Sequence, residues 1–529
     1  MNLDNDLVSV QEARDLTKKA KEAQLEFKHY SQEQVDKIVK AMVDAGMANA
    51  ERLAKLANEE TGFGKVEDKI IKNQFATRDV YNSIKNLKTV GVIDVQKDGK
   101  IVKIAEPMGV VAGLIPSTNP TSTAMFKAII SLKCRNGIVC SPHPKAIECT
   151  TEALRVVREA AEQAGAPKDL IQVMSKPTLE GTHQLMQDEN TAVILATGST
   201  AMVKAAYSSG KPAYGVGAGN VPAFIERSAD CEKAVKDILY GTTFDNGTLC
   251  SSEQSMIVDR PLAKKAVEIA KREGGYFVNA EEKLKLAKAM KKGRGINPDI
   301  VGKSAQFIAE YAGFSVPPNT RVLLAECEIV GEEEPLSIEK LSPVLAFYVV
   351  DGWLEGCHKC IELLQFGGIG HTMSIHSNDK DIIMKFALEK PAFRIVVNTP
   401  SSIGAVGYST MLTPSLTLGP GTWGGSIISE NVSAIHLMNV KTLAFESNPV
   451  NQGNSVTSFE SKMPNVYSSS KGTSSFMDEI EARLIARAGN PKIQEVLKDG
   501  KSKAPVGDKI FGSGISEAEI QKIISEFNK

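Results

Sequence analysis

Gly109-Val110-Val111-Ala112-Gly113-Leu114-Ile115-Pro116 is an apolar run of strand length, opened by glycine and closed by proline. A run without polar alternation fits a strand buried on both faces, as in a parallel sheet. Outward from it the pattern repeats. Residues 137–140, 170–174 and 192–195 are short runs of the same kind, with helical stretches such as 150–164 and 179–188 between them. Gly165 and Pro167 after the first of these mark a helix stop. Strands alternating with helices predict a parallel α/β domain with nucleotide-binding potential. Similar alternation over about residues 220–410 predicts a second α/β region.

The chain has 529 residues, 42% hydrophobic and 24% charged. That is a globular composition in a chain too long for one core, so roughly two to four domains are expected. Sixty-two basic against 63 acidic residues leave a formal charge of -1, which gives no electrostatic case for nucleic acid or an anionic membrane as partner. The N-terminus lacks the basic-then-apolar pattern of a secretory signal, and no apolar run approaches the ~20 residues that span a bilayer. The eight cysteines are scattered, which predicts free thiols in a reducing, cytoplasmic setting. Cys357-His358-Lys359-Cys360 has no second pair at zinc spacing, so its cysteines read as packing residues and no metal site is expected.

Roughly the first 80 residues read as helices. Ser9-x-x-Glu12 and Ser31-x-x-Gln34 both fit the capping box, with Tyr30 and Val35 placed as a staple around the second. Residues 90–106 alternate around Asp98-Gly99, as a hairpin does. Residues 451–475 are rich in Ser, Asn and Gly and read as a linker or arm, 479–497 as a helix, and 500–514 as a second spacer.

Phe244-Asp245-Asn246-Gly247-Thr248-Leu249-Cys250-Ser251-Ser252-Glu253-Gln254 carries the strongest local signal. Its cysteine follows a glycine-containing turn and precedes an expected helix start, where free N–H groups and the helix dipole favour thiolate. Taken alone, such a cysteine is more often a buried small hydrophobe than a nucleophile. The stretch resembles the FDNG-x-x-C-x-SEQ segment of CoA-acylating aldehyde dehydrogenases. The likeness covers about residues 8–447 and rests on several motifs in order. These include Glu106-Pro107-Met108-Gly109, Pro116-Ser117-Thr118-Asn119-Pro120, Ser141-Pro142-His143-Pro144 and Ala196-Thr197-Gly198-Ser199. Gly367-Gly368-Ile369-Gly370-His371-Thr372 and Thr417-Leu418-Gly419-Pro420-Gly421-Thr422-Trp423-Gly424-Gly425 complete the set.

The resemblance implies an aldehyde dehydrogenase fold. A Rossmann-like domain for NAD and coenzyme A would span 1–218, and a catalytic α/β domain 219–430. A bridging β element would join a hairpin at 89–106 to a strand within 431–450 and serve homo-oligomerisation. Residues 451–513 would form an arm and linker, and 514–529 an amphipathic targeting helix. By the same resemblance Cys250 attacks the aldehyde, and the Asn119 amide with the Cys250 N–H receives the oxyanion. A turn residue before Pro120 is the other reading of Asn119. Thr197-Gly198-Ser199 matches the turn at the NAD pyrophosphate, where a helix expected from about Ala201 presents its N–H groups; such turns also simply connect strand to helix. Pro116, Ser117, Thr118 and Gly217 lie in the matching cofactor segments, and Ser141 and His143 in the one beside the adenine ribose. Glu339, with Leu341, matches the glutamate at the nicotinamide ribose, a solvated surface glutamate being the alternative.

Hydrolytic family members carry a glutamate that activates water. Here Gly215-Val216-Gly217-Ala218-Gly219-Asn220-Val221-Pro222 places Val216 there, 34 residues before Cys250. Water needs a general base, whereas a coenzyme A thiol with a pKa of about 8.5 does not. The acylating reading follows, and the resemblance implies propionaldehyde as first substrate and acetaldehyde as second. His371 either orients or deprotonates the coenzyme A thiol or is a satisfied structural histidine. At the C-terminus, Ser516 and Glu519 form a capping box, and Ile520, Ile523, Ile524 and Phe527 line one helical face. That tail either docks on its own protein or, resembling encapsulation peptides, binds a bacterial microcompartment shell protein. The rival functions are a hydrolytic aldehyde dehydrogenase releasing free acid and a non-catalytic microcompartment subunit. No stretch resembles a metal-dependent alcohol dehydrogenase domain, so a bifunctional enzyme is not expected.

Overall fold

Val110–Ile115 is a strand buried at every position, as an apolar run without alternation requires. In the computed structural model, which describes residues 4–459 except Arg294, it is the central strand of a five-stranded parallel sheet. The order is Ile171–Val173, Gly137–Pro142, Val110–Ile115, Thr191–Thr197, Ala213–Val216. Counted along the chain this is 3-2-1-4-5, the doubly wound order whose direction reverses between the first and fourth strands. The reversal opens a crevice beyond the carboxyl ends of Val110–Ile115 and Thr191–Thr197.

A second, seven-stranded parallel sheet spans residues 221–397. Its order is Gly275–Phe277, Val322–Glu326, Val344–Val350, Glu253–Asp259, Val221–Ile225, Gly370–His376, Ala392–Val397. Cys357 and Cys360 are buried on helix Gly352–Phe366 in the core beside this sheet, with Leu363 and Leu364. All eight cysteines are free thiols; seven are buried and Cys250 is partly buried. Among the described residues no helix is long and apolar enough to cross a membrane.

Gly91–Gln96 and Ile101–Pro107 pair antiparallel around Asp98-Gly99, both of which have positive φ, with Lys100 N donating to Lys97 O at 3.1 Å. That is the twist-matched hairpin turn. Met438–Ala444 adds a third antiparallel strand against Ile101–Pro107. The N-terminal residues are helical (Asn5–Phe27, Gln32–Ala48, Ala50–Thr61, Val66–Gln74), the last running through a π-turn at Phe75–Asp79. The Ser31/Gln34 capping box is present in both directions.

The Ser9/Glu12 box is not formed. Its helix starts at Asn5, capped by Asp4, and Ser9 lies buried inside it. Both side chains instead grip a distant loop. Glu12 accepts from Ser175 N at 2.8 Å and Lys176 N at 3.1 Å, and Ser9 Oγ accepts from Thr178 N at 3.2 Å. The helices expected at 479–497 and 514–529 lie outside the described residues.

Arg135 is buried and joins three parts of the chain. Its guanidinium donates to Lys28 O at 2.6 Å, Ala105 O at 3.0 Å and Thr89 O at 3.3 Å. Arg135→Leu strands those carbonyls, so denaturant unfolding followed by circular dichroism should show a loss of about 3 kcal/mol or more. A loss below about 1 kcal/mol would mean that water replaces the side chain.

Candidate active site

Helix Cys231–Thr243 ends in a turn, Phe244–Gly247, in which Asp245, Asn246 and Gly247 all have positive φ (47°, 53° and 74°). A Cβ on Gly247 would lie 2.9 Å from Ser342 N, so that position needs glycine on both steric grounds. The turn buries the Asp245 carboxylate completely and surrounds it with donors. Lys69 Nζ is at 3.0 Å, Thr248 Oγ1 at 2.7 Å and Lys65 N at 2.7 Å, and Lys72 Nζ makes a closer ion pair. Burial pushes this carboxyl up, but Lys72 and Lys69 outweigh it and hold the carboxyl below its ordinary value. Burial in turn draws Lys72 down to about 8, against the pull of Asp245.

Cys250 follows in a tight turn and leads into strand Glu253–Asp259, buried at all seven positions. No helix starts there, which corrects the expectation that a helix dipole favours the thiolate. Burial pushes the Cys250 thiol up to about 12, the Glu339 carboxylate pushes the same way, and Arg394 opposes both. At neutral pH this is a protonated thiol.

Asn119 occupies the N-cap of helix Pro120–Lys133, yet its side chain makes no cap hydrogen bond. Its Oδ1 accepts from Lys72 Nζ at 2.6 Å, while Nδ2 donates to Thr118 Oγ1 at 3.1 Å and Thr248 O at 3.2 Å. The amide nitrogen therefore faces the cysteine loop, two residues from Cys250. A plain turn residue would satisfy its own helix end.

Gly219, before strand Val221–Ile225, closes the other side. Its N–H donates to Glu339 Oε1 at 2.8 Å. A Cβ on it would stand 2.2 Å from Cys250 O and 3.2 Å from His371 Nδ1. Cys250, Glu339 and His371 are thus gathered around one glycine. Burial raises the Glu339 carboxyl to about 8. Burial, then Arg394, lowers His371 to about 3, so the imidazole is neutral. Its Nδ1 pairs with Thr372 Oγ1 at 2.9 Å, and its buried Nε2 has no partner. Val216 is 1% exposed and belongs to the apolar core against which Cys250 packs.

Arg394, which no sequence motif marks, donates from its guanidinium to His371 O at 2.7 Å and Asn431 Oδ1 at 2.7 Å. Its one signal is an arginine on the inward phase of strand Ala392–Val397. Lys72 is unmarked as well, because in the sequence it looks like an ordinary helix-surface lysine.

Around the crevice of the five-stranded sheet stand Pro116, Ser117 and Thr118 after the first strand, Thr197 at the end of the fourth, and Gly198 and Ser199 after it. Gly217 follows the fifth. Ser199 caps helix Thr200–Tyr207, accepting from Met202 N at 3.3 Å. A Cβ on Gly198 would meet nothing within 4 Å, and one on Gly217 only Thr200, at 3.6 Å and beyond. This open, small-residue edge at a helix N-terminus suits a dinucleotide phosphate. His143 is exposed at the end of the second strand, and Leu341 has positive φ beside the Gly247 turn. Ser141 lies near the end of the second strand, where its hydroxyl is buried against Thr182 Oγ1 at 2.8 Å. Among the described residues no cluster of three or more His, Cys, Asp or Glu side chains is gathered for a metal.

The sequence model of the aldehyde dehydrogenase family matches residues 6–317. The bifunctional aldehyde-alcohol dehydrogenase of Escherichia coli (strain K12) is 46% identical over 443 residues, 83% of this chain and 50% of that protein. The chain therefore spans about half the length of the first curated relatives it matches. An acetylating aldehyde dehydrogenase structure from Geobacillus thermoglucosidasius is 51% identical, with a TM-score of 0.84 over 85% of this chain and 100% of that one. A propionaldehyde dehydrogenase from the Clostridium phytofermentans fucose utilisation bacterial microcompartment is 31% identical, with a TM-score of 0.74 over 82% and 98%. The likeness to these proteins runs along most of the chain, and the chain belongs to the aldehyde dehydrogenase family.

Proposed function

We propose that the chain is a CoA-acylating aldehyde dehydrogenase, oxidising a short-chain aldehyde with NAD through a thioester on Cys250 and passing the acyl group to coenzyme A. The observation that carries this reading is the apolar Val216, buried in the same core that Cys250 packs against, at the sequence position where hydrolytic members carry a base. Glu339 is the carboxylate next to Cys250, but its proton is retained up to about 8 and its Oε1 is held by Gly219 N–H. Neither Val216 nor Glu339 thus offers water a ready base, and His371, lowered to about 3, is too weak a base to stand in for one.

Cys250 loses its proton to solvent, its thiolate attacks the aldehyde carbonyl, and the Asn119 amide stabilises the resulting oxyanion. Bound NAD supplies the hydride acceptor; Pro116, Ser117, Thr118, Thr197, Gly198, Ser199, Gly217, Glu339 and Leu341 would hold it, with His143 at the adenosine end. Ser141 would act there only through Thr182. The neutral His371, with Nε2 unpartnered, can accept a hydrogen bond from the coenzyme A thiol and orient it, while that thiol's own ionisation to solvent supplies the sulfur that attacks the Cys250 thioester and releases Cys250. Propionaldehyde is the substrate suggested by the motifs. Higher identity to the acetylating structure than to the propionaldehyde dehydrogenase favours a two-carbon acyl group. The exposed strand Met438–Ala444 suits self-association into a homo-oligomer. The C-terminal helix reading, together with likeness to a microcompartment enzyme, supports a cytoplasmic enzyme held within a bacterial microcompartment through a shell protein.

With aldehyde and NAD but no coenzyme A, stopped-flow absorbance should show a burst of about one NADH per Cys250 and then turnover slower by roughly 10²-fold or more. Cys250→Ala should show no burst. Sustained NADH formation with free acid and no coenzyme A would establish the hydrolytic reading instead.

Because the thiol is held near 12, its thiolate fraction climbs with pH throughout the neutral range. Iodoacetamide labelling of the Cys250 peptide, read by mass spectrometry, should accelerate about tenfold per pH unit from about 7 to 9. A plateau inside that window would mean a preformed thiolate.

Deleting residues 514–529 should leave NADH formation intact and abolish co-purification with co-expressed shell protein. Equal co-purification of full-length and truncated enzyme would remove the targeting role.

A further inference from the structure

Lys72 is buried, with 5% of its side chain exposed, at a point where one charge partner would have satisfied it. Besides the Asp245 carboxylate it reaches Asn119 Oδ1 at 2.6 Å and Thr248 Oγ1 at 3.4 Å. A carboxamide has two ends of opposite hydrogen-bonding character, and an ammonium can only donate. The Lys72 ammonium therefore accepts one orientation of the Asn119 amide and excludes the other. In the permitted orientation Nδ2 faces the cysteine loop. In the excluded one the carbonyl oxygen would face it and repel an oxyanion.

We propose that Lys72 is a positioning residue that locks the Asn119 amide with its N–H groups toward the Cys250 loop, and that Asp245 holds Lys72 in place for this. The proposal rests on the reading of Asn119 as the oxyanion donor. The neighbouring residues fix the same turn: Asn73 Oδ1 accepts from Thr121 Oγ1 at 2.8 Å, and Asn73 Nδ2 donates to Ala50 O at 2.9 Å. The same ammonium draws electron density through the amide and makes its N–H groups stronger donors. Asn119, for its part, forgoes the cap of its own helix. Lys69 is a built-in control. It binds the same Asp245 oxygen and approaches Thr118 O at 3.5 Å, but makes no hydrogen bond to Asn119.

The test is the NADH burst of the full-length enzyme with acetaldehyde and NAD, measured for Lys72→Met, Lys69→Met, Asn119→Ala and Lys72→Met/Asn119→Ala, with NAD affinity and melting temperature for each. Losing one oriented donor should slow the burst roughly 10²-fold in Lys72→Met and in Asn119→Ala, without weakening NAD binding. The double variant should be no slower than Asn119→Ala, because Lys72 acts through that amide. Lys69→Met, which strips the same carboxylate of a partner, should stay within about threefold of wild type in burst rate even if its melting temperature falls. A Lys72→Met burst within about threefold of wild type, or losses that multiply in the double variant, would overturn the proposal. If Asn119→Ala itself keeps the burst, the oxyanion reading fails and takes this proposal with it. Should Lys72→Met not fold, Lys72→Met/Asp245→Asn removes both charges together and carries the same expectation. If that also fails to fold while Lys69→Met folds, Lys72 is a folding residue and the proposal is wrong.

Discussion

A carboxylate taken wholly out of water must be answered by donors or it will not stay charged. Asp245 meets that condition with two lysines, a threonine hydroxyl and a backbone N–H. These donors come from helix Val66–Gln74, the residue preceding it and the cysteine loop itself. The same lysine reaches the turn after strand Val110–Ile115. One buried charge therefore ties the N-terminal helices, the edge of the first sheet and the loop before Cys250 into a single geometry. The three left-handed residues of the loop have a conformational cost that this network offsets; Asp and Asn tolerate that region better than most side chains.

The proposed chemistry sits where two sheets present opposite ends. The five-stranded sheet offers the carboxyl ends of its strands and an open row of small residues. The seven-stranded sheet offers its amino ends, so that Gly219, Cys250 and His371 come just before or at the start of strands Val221–Ile225, Glu253–Asp259 and Gly370–His376. Burial discharges the groups collected there. Cys250 and Glu339 are pushed up and His371 down, all toward their neutral forms. Arg394 remains the cation near the thiol and ties the His371 segment to the loop carrying Asn431. A site whose groups are neutral before reaction has protons to move during it, which is how acid–base sites are tuned.

Local chemistry was legible where local interactions decide the outcome. Asp98-Gly99 sets its own turn, and Ser31 and Gln34 cap their own helix. Ser9 and Glu12 show the opposite case. Their spacing is right for a cap, but that spacing also puts both on one helical face, and the loop at 175–178 competes successfully for them. The helix expected after Cys250 failed for a related reason. Glu253–Asp259 has no alternation to betray a strand because it is buried on both faces, its polar side chains included.

The sequence by itself determined the alternation of buried strands and helices, the hairpin, the small-residue turns of the crevice and the ordered motifs that single out Cys250 and Asn119. Each depends on residues close in the chain or on a pattern repeated along it. Only the tertiary structure decided that Lys72 reaches Asn119, 47 residues away, and that Lys69 and Lys72 lie inward while Ile70 and Ile71 are only partly buried. It also decided that Arg394 backs His371, and that Cys250 is held as a thiol. Desolvation and charge pairing depend on what surrounds a group in space, and chain order does not encode that distance.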